Sequence, residues 1–330
     1  MRKEATSENA IHALAMLSNA QRYFVDQLSV LCQQHQQADK FTPQQWLRDS
    51  GQHGGGLRFE APQNSLFNQA SVNVSQVQYE DRPDKAFISA TALSTIIHPI
   101  NPKAPSVHIH VSWTELRSGK NYWRLMADLN PAIVCENDKN QFNETLQSVA
   151  GNYFEQATEQ GNNYFYIPAL KAHRGISHFY LEGFNPENVD TQAFAHRFVY
   201  AVIDSYIAIF KAKLDNSLVE QKQSEAQQAL QLDYHTLYFY QVLTLDKGTT
   251  AGLLVHDQND VGTLGSLPRF INRELLAQWI NKTPAPRHKL VSDLVALFPD
   301  SKRCEVTTEI KVLIAQTIRS HYQDYPLQSI

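Results

Sequence analysis

Residues 94–113, with the sequence STIIHPINPKAPSVHIHVSW, decide how the chain folds. After a proline-rich turn, polar and apolar residues alternate over 106–113, which is the period of a β-strand with one buried face. The apolar residues at 107, 109, 111 and 113 are predicted to face a core. The opposite face carries two imidazoles, His108 and His110, about 7 Å apart along the strand. The pattern therefore predicts a sheet with one polar, histidine-bearing face.

The segments on either side extend this strand into an α+β fold. Runs of β-branched and aromatic residues predict further strands, at Asn73–Tyr79, Phe87–His98, Tyr122–Leu129, Ile176–Glu182, His235–Leu245 and Thr249–His256, the last two joined by a turn at 246–248. Apolar residues at helical spacing predict helices, at 10–37, 43–49, 142–160, 191–214, 273–281, 289–297 and 307–322. The segment GQHGGG at 51–56 predicts a flexible turn. With no internal repeat and no linker, we expect one domain over residues 1–330, with a large, mainly antiparallel sheet covered by helices.

Composition excludes several classes of protein. The 330 residues include 29 Lys and Arg against 33 Asp and Glu, and the net charge of −4 disfavours binding through phosphate neutralisation. We therefore expect no nucleic-acid partner. Three scattered cysteines without CxxC spacing argue against disulfides and against a thiolate metal site. No run of about 18 apolar residues occurs, and acidic residues interrupt the N-terminal segment, so we expect no membrane span and a cytoplasmic location.

Polar residues on neighbouring strands extend the histidine-bearing face. His98 ends the preceding predicted strand, Asp128 ends the following one, and His178 and Glu182 share a face four residues apart on another. Imidazoles and carboxylates in one patch suit Fe(II), Mn or Zn. The same spacing is also typical of solvent-facing residues without function, and both interpretations stay open on spacing alone. The sequence contains no GxGxxG, GxxxxGK[ST], GxSxG or HExxH motif, so it predicts neither a glycine cradle for a nucleotide nor a common hydrolase site.

Six motifs, in the same order along the chain, resemble those of the oxygen-dependent coproporphyrinogen III oxidases. The strongest is STIIHPINPKAPSVH at 94–108, which is similar to the family's SxVxHPxNPxxPTxH. The others are GGGLR at 54–58, FNQASVNVS at 67–75, DLNP at 128–131, HRGI at 173–176 and DKGTTAGL at 246–253. The resemblance covers roughly residues 43–268.

The resemblance implies a flat antiparallel sheet between helical layers, a homodimer, and an active cleft over the sheet. The family uses dioxygen, without an organic cofactor, for oxidative decarboxylation of two propionates to vinyl groups in porphyrin biosynthesis. Carried over by motif, His108 would be the proton donor, and Asp128 and Asp246 the catalytic carboxylates. Ser94 and Arg174 would contact the small-molecule substrate.

The chain departs from the family pattern in two ways. Two substrate-binding arginines of the family are replaced by Ser112 and Lys247. Of the residues at these departures, we expect Lys247 and His110 to contact substrate. Histidines are also gained, because His110 and His178 stand where the family has Asn and Gly. His98 and His108 match two of four histidines often assigned as metal ligands in the family. The predicted metal set is His98, His108, His110, His178 and Glu182, holding Fe, Mn or Zn.

We therefore predict an oxygen-dependent oxidoreductase that decarboxylates a carboxylate-bearing, porphyrinogen-like substrate. Two alternatives stay open. One is a metal-dependent oxidase or oxygenase of the same fold that acts on a smaller, non-porphyrin substrate. The other is a non-catalytic tetrapyrrole-binding protein whose imidazoles ligate haem iron.

Overall fold

A computed structural model describes residues 2–35, 40–62, 66–217 and 224–326. The chain divides into two compact units. The first consists of Met1–Tyr164 and Gly175–Lys222, and the second of Phe165–Arg174 and Gln223–Ile330. The single domain expected from the sequence stays a prediction.

The described residues form helices and strands joined by short turns. In chain order these are α1 Glu8–Gln34, β1 Thr42–Leu47, β2 Gly54–Glu60, β3 Phe67–Gln78, β4 Phe87–Pro99, β5 Ser106–Leu116, β6 Asn121–Asn130, α2 Glu136–Ala150, α3 Phe154–Phe165, β7 Tyr166–Ile167, β8 Ala172–His173, β9 Ser177–Phe184, α4 Thr191–Ser217, α5 Glu225–Thr244, α6 Lys247–Val255, α7 Asp260–Thr263, β10 Phe270–Asn272, α8 Arg273–Gln278, α9 Arg287–Ala296, β11 Arg303–Glu305 and α10 Thr308–Asp324.

The first unit is built on a seven-stranded sheet in the order β1-β2-β3-β4-β5-β6-β9. Every neighbouring pair is antiparallel, which confirms the predicted α+β class with a large antiparallel sheet. Helix α1 packs on β3 and β4, and α4 packs on β5 and β6. Between them lie the buried residues that the alternation at 106–113 predicted for the core, Val107, Ile109 and Val111 among them. One face of the sheet is thereby covered by helices.

Helix α4 is long and apolar enough, by length and composition, to cross a membrane over Thr191–Asp215. In the structure, however, 56% of that window is buried inside the protein. Its residues Phe198, Val202 and Tyr206 belong to the hydrophobic core beneath the sheet. This packing accounts for the apolar character of α4, because a helix that is apolar on most sides has to be buried.

Two local predictions in the first unit are wrong. Most of the segment 43–49, predicted as a helix, lies in β1, Thr42–Leu47. The glycines at 54–56, predicted as part of a flexible turn, open strand β2. Gly54 has φ of +97°, and a Cβ added there would lie 2.1 Å from the carbonyl oxygen of Gln76 on β3. The glycines therefore permit a close approach of backbones within the sheet.

The second unit is mainly helical and contains the small β10–β11 hairpin-like pair. Here the strands predicted at 235–245 and 249–256 are wrong, because the structure has helices α5 and α6. In α5, the residues from Tyr238 to Thr244 are all buried, so apolar and aromatic residues lie on every side of the helix. A short apolar run of this kind has no period that separates a buried helix from a buried strand.

Candidate functional site

We call the side of the seven-stranded sheet that carries His108 and His110 the polar face. Directly opposed residues on antiparallel strands share a face, and their Cα atoms are about 4.5–5.5 Å apart. The register therefore arranges the polar face in rows across the strands. One row is Ile96, His108, Asp128 and His178, the next is Ser94, His110, Met126 and Tyr180, and a third contains Ala92, Ser112 and Arg124. Strands β4, β5, β6 and β9 thus bring the site residues predicted in the first unit onto one surface.

His108 and Asp128 form a hydrogen-bonded pair on the polar face. The distance from Nδ1 of His108 to Oδ1 of Asp128 is 2.8 Å, and the Asp128 side chain has no exposed surface. Asn130, two residues further along β6, donates from Nδ2 to Oδ2 of Asp128 at 2.5 Å and to its carbonyl oxygen at 2.9 Å. A carboxylate withdrawn from water needs such partners. Its contact with Nδ1 favours the imidazole tautomer that carries a proton there.

The two other histidines of β4 and β5 each contact a serine. Nδ1 of His98 lies 2.8 Å from Oγ of Ser106, and the His98 side chain is fully buried. Nε2 of His110 lies 3.2 Å from Oγ of Ser112 on the same strand. These contacts orient each imidazole locally along β5.

Helix α3 lies against the polar face at β9. Oδ1 of Asn162 is 2.8 Å from Nδ1 of His178, and the rings of Tyr164 and Tyr180 contact each other at a tilt of 43°, with centroids 4.7 Å apart. A Cβ added at Gly161 would lie 2.8 Å from Cβ of His178, so a glycine is required for the helix to approach this closely. The helix therefore bounds the polar face along β9.

A bidentate ion pair joins β6 to β9 on the same face. Arg124 donates from Nε to Oε2 of Glu182 at 2.7 Å and from Nη2 to Oε1 at 3.0 Å. The hydroxyl of Tyr180 donates to Oε2 of the same carboxylate. Burial acts to lower the pKa of the Arg124 guanidinium, but the hydrogen bonds that it donates to Glu182 and the negative charge of its surroundings outweigh burial and raise that pKa. Arg124 is therefore held permanently charged and paired.

The seven strands place a second arginine, Arg58, on the polar face. The register connects it through Asn73 to Ser94, the residue opposite His110. Nε of Arg58 lies 2.7 Å from Oε1 of Glu60, and only 7% of the Arg58 residue surface is exposed. Both guanidinium groups of the polar face therefore have a carboxylate of this chain as partner.

Comparison with known proteins assigns the chain to a family. A family model described as coproporphyrinogen III oxidase matches residues 14–294. The chain belongs to the coproporphyrinogen III oxidase family. The resemblance carried by the six motifs is thereby confirmed, and the match includes the whole seven-stranded sheet.

Individual members of the coproporphyrinogen III oxidase family are similar at low identity. The mitochondrial oxygen-dependent coproporphyrinogen-III oxidase of Rattus norvegicus is 23% identical over 290 residues, which are 79% of this chain and 62% of that protein. The mitochondrial enzyme of Homo sapiens is 24% identical over 280 residues, 76% of this chain and 58% of that protein. The oxygen-dependent enzyme of Rickettsia akari is 26% identical over 246 residues, 69% and 84% of the two chains. The chain spans about three fifths of the length of the mitochondrial relatives.

The predicted metal ligands share a face but are not arranged as a metal site. Across residues 2–35, 40–62, 66–217 and 224–326, no group of three or more His, Cys, Asp and Glu side chains is placed to hold a metal ion. The contacts of three of these residues explain why. His98 faces Ser106, His178 faces Asn162, and the carboxylate of Glu182 is occupied by Arg124. As placed in the described part of the chain, these residues do not fit a metal ion.

The remaining predicted residues lie in the second unit. Arg174 is 1% exposed, donates from Nη1 to Oε1 of Gln241 at 2.7 Å, and stacks against Phe165 and Tyr238. Its guanidinium is thus packed within that unit and not displayed to solvent. Asp246 accepts a hydrogen bond from the backbone N–H of Thr249 at 2.6 Å as the N-cap of α6. Lys247, the next residue, is exposed.

Three contacts in the polar face were missed from the sequence. Asn130 follows Asp128 by two residues on one strand, so the same alternation that predicted the histidine face would have placed it there. Arg124 belongs to none of the six motifs, and its partner Glu182 was predicted to bind a metal ion. Asn162 lies on a helix, 16 residues before His178, and no sequence period connects them.

Proposed function

We propose that the chain is an oxygen-dependent oxidoreductase that oxidatively decarboxylates a carboxylate-bearing, porphyrinogen-like substrate bound over the polar face. Membership of the coproporphyrinogen III oxidase family supports the reaction class. The observation that carries the proposal for this chain is the pair formed by His108 and the fully buried Asp128.

The proposed reaction needs a proton donor of this kind. When a propionate side chain becomes a vinyl group, it releases CO₂ and a hydride equivalent, and dioxygen accepts the hydride and one proton to become hydrogen peroxide. Asp128 accepts a hydrogen bond from the Nδ1–H of His108. Nε2 is therefore the nitrogen that exchanges a proton with bound reactants. Asn130 keeps the carboxylate in position by donating to its second oxygen.

The His108 side chain is 14% exposed, whereas Asp128 has no exposed surface. This difference assigns the two residues different tasks. The imidazole can reach a molecule over the sheet, while the carboxylate orients the imidazole. Ser94 and His110, side by side in the next row, are the proposed contacts for the substrate.

The test is turnover of anaerobically prepared coproporphyrinogen III, followed by oxygen uptake and by the fluorescence of the oxidised product. We expect His108→Ala to reduce turnover by about 100-fold or more, the typical contribution of a general acid or base. His12→Ala on the exposed surface of α1 is the matched control and should leave turnover unchanged. Normal turnover by His108→Ala, with its fold intact by circular dichroism, would contradict the proposal.

A further inference from the structure

The ion pair between Arg124 and Glu182 lies next to the proposed substrate contacts. Arg124 stands directly across from Ser112, and Ser112 contacts Nε2 of His110. The side chains of Arg124 and Glu182 are 33% and 37% exposed, so the pair is reachable from solvent. A molecule lying over His108 and His110 would meet this pair at the β9 side of the polar face.

The hydrogen bonds between Arg124 and Glu182 are those that an arginine makes to the carboxylate of a bound ligand. A guanidinium and a carboxylate joined by two parallel hydrogen bonds form the arrangement by which arginine recognises a carboxylate on a ligand. Here the carboxylate is supplied by the chain itself, and the Tyr180 hydroxyl and Arg124 hold it together. Because Glu182 is tethered, its effective concentration at Arg124 is high.

We propose that Glu182 is a specificity-determining residue that occupies Arg124 in place of a substrate carboxylate. The inference rests on the proposed function, and it narrows the substrate class to molecules without a carboxylate at this position. A ligand carboxylate placed here would have to displace Glu182 or lie beside its negative charge, and both are unfavourable.

The contacts of Arg58, the second arginine of the polar face, support this restriction of the substrate class. Arg58 is paired with Glu60 and nearly buried, so it offers little surface to an anion. Together the two Arg–Glu pairs add no net charge to the polar face, and the buried Asp128 adds a negative one. Such a surface suits a substrate with fewer carboxylates than the tetracarboxylate coproporphyrinogen III.

The test is direct binding, which requires no turnover. Coproporphyrin III, the stable oxidised tetracarboxylate, is titrated by fluorescence into the wild type, Glu182→Gln, and the double variant Glu182→Gln/Arg124→Gln. The matched control is Glu305→Gln, because it releases Arg269 from a comparable half-exposed pair in the second unit. Thermal denaturation checks that each variant is folded. If Glu182→Gln does not fold, Glu182→Asp withdraws the carboxylate by one methylene and serves the same purpose.

We expect Glu182→Gln to bind coproporphyrin III at least about fivefold more tightly than the wild type, since one charge-assisted hydrogen-bonded contact is gained. The gain should shrink at high salt and disappear in the double variant, while Glu305→Gln should match the wild type. Equal or absent binding in the wild type and in Glu182→Gln, or a gain that persists without Arg124, would overturn the inference. The proposed function is tested separately by His108→Ala, so the two can fail independently.

Discussion

Nδ1 of His108 lies 2.8 Å from Oδ1 of Asp128, directly across the antiparallel ladder between β5 and β6. The backbone register alone places these two residues opposite each other. The side-chain amide of Asn130 donates to Oδ2 of Asp128 and holds the carboxylate in place. The pair thus joins an accessible imidazole to a carboxylate that solvent does not reach, which is a suitable arrangement for proton transfer at neutral pH.

Asp128→Asn tests the role of the carboxylate. The amide has the same shape, so we expect the fold to persist, but its NH₂ group can donate to Nδ1 and move the imidazole proton to Nε2. Turnover of coproporphyrinogen III, measured as oxygen uptake, should fall by about 100-fold or more. Turnover within about threefold of the wild type would show that Asp128 does not control the tautomer of His108.

Treatment with a chelator tests the metal site expected from the sequence. Because the five expected ligands do not converge in the described part of the chain, we expect dialysis against EDTA to leave turnover and the thermal unfolding midpoint unchanged. Elemental analysis before and after dialysis is the measurement. Loss of activity that Fe, Mn or Zn restores would support the site of His98, His108, His110, His178 and Glu182 instead.

Gly54, at the start of β2, and Gly119, in the turn between β5 and β6, allow a matched test of close backbone packing. Gly54 and Gly119 both have positive φ, but a Cβ at Gly54 would meet the Gln76 carbonyl at 2.1 Å, whereas nothing lies within 4 Å of a Cβ at Gly119. We expect Gly119→Ala to cost about 1 kcal/mol of unfolding free energy through backbone strain alone. Gly54→Ala should cost more than about 3 kcal/mol, as judged by urea denaturation. Equal costs would mean that β2 can shift away from β3.

His235 makes the stability of the second unit depend on pH. Burial in α5 lowers the pKa of its imidazole to about 3, whereas in the unfolded chain it titrates near 6.5. Between these values the unfolded state binds the extra proton, so stability is fully present above pH ~6.5 and falls as the pH drops, by up to about 1.4 kcal/mol per unit.

The measurement is urea denaturation between pH 7 and pH 5. His235→Gln should show a shallower loss of unfolding free energy than the wild type, although burial also lowers the pKa of His321, which leaves part of the slope. His288→Gln, at an exposed position, is the control and should keep the wild-type slope. If the unfolding free energy of His235→Gln depends on pH as steeply as that of the wild type, a residue other than His235 takes up the proton.

The sequence by itself determined the family, the sheet and the face of the sheet on which the histidines lie. Alternation at 106–113 is a local property with a period of two, so it separates the buried residues from His108 and His110 without knowledge of any partner strand. Short apolar runs such as 238–244 lack a usable period, and for that reason the helices α5 and α6 were predicted as strands.

Only the tertiary structure decided which polar groups on that face are paired with each other. The register between strands set His108 against Asp128, and the approach of α3 at Gly161 set Asn162 against His178. The same packing gave the carboxylate of Glu182 to Arg124, 58 residues away in sequence, and not to a metal ion. Hydrogen bonds of this kind depend on the distances between side chains from separate elements, and a linear pattern of residue types contains no such distances.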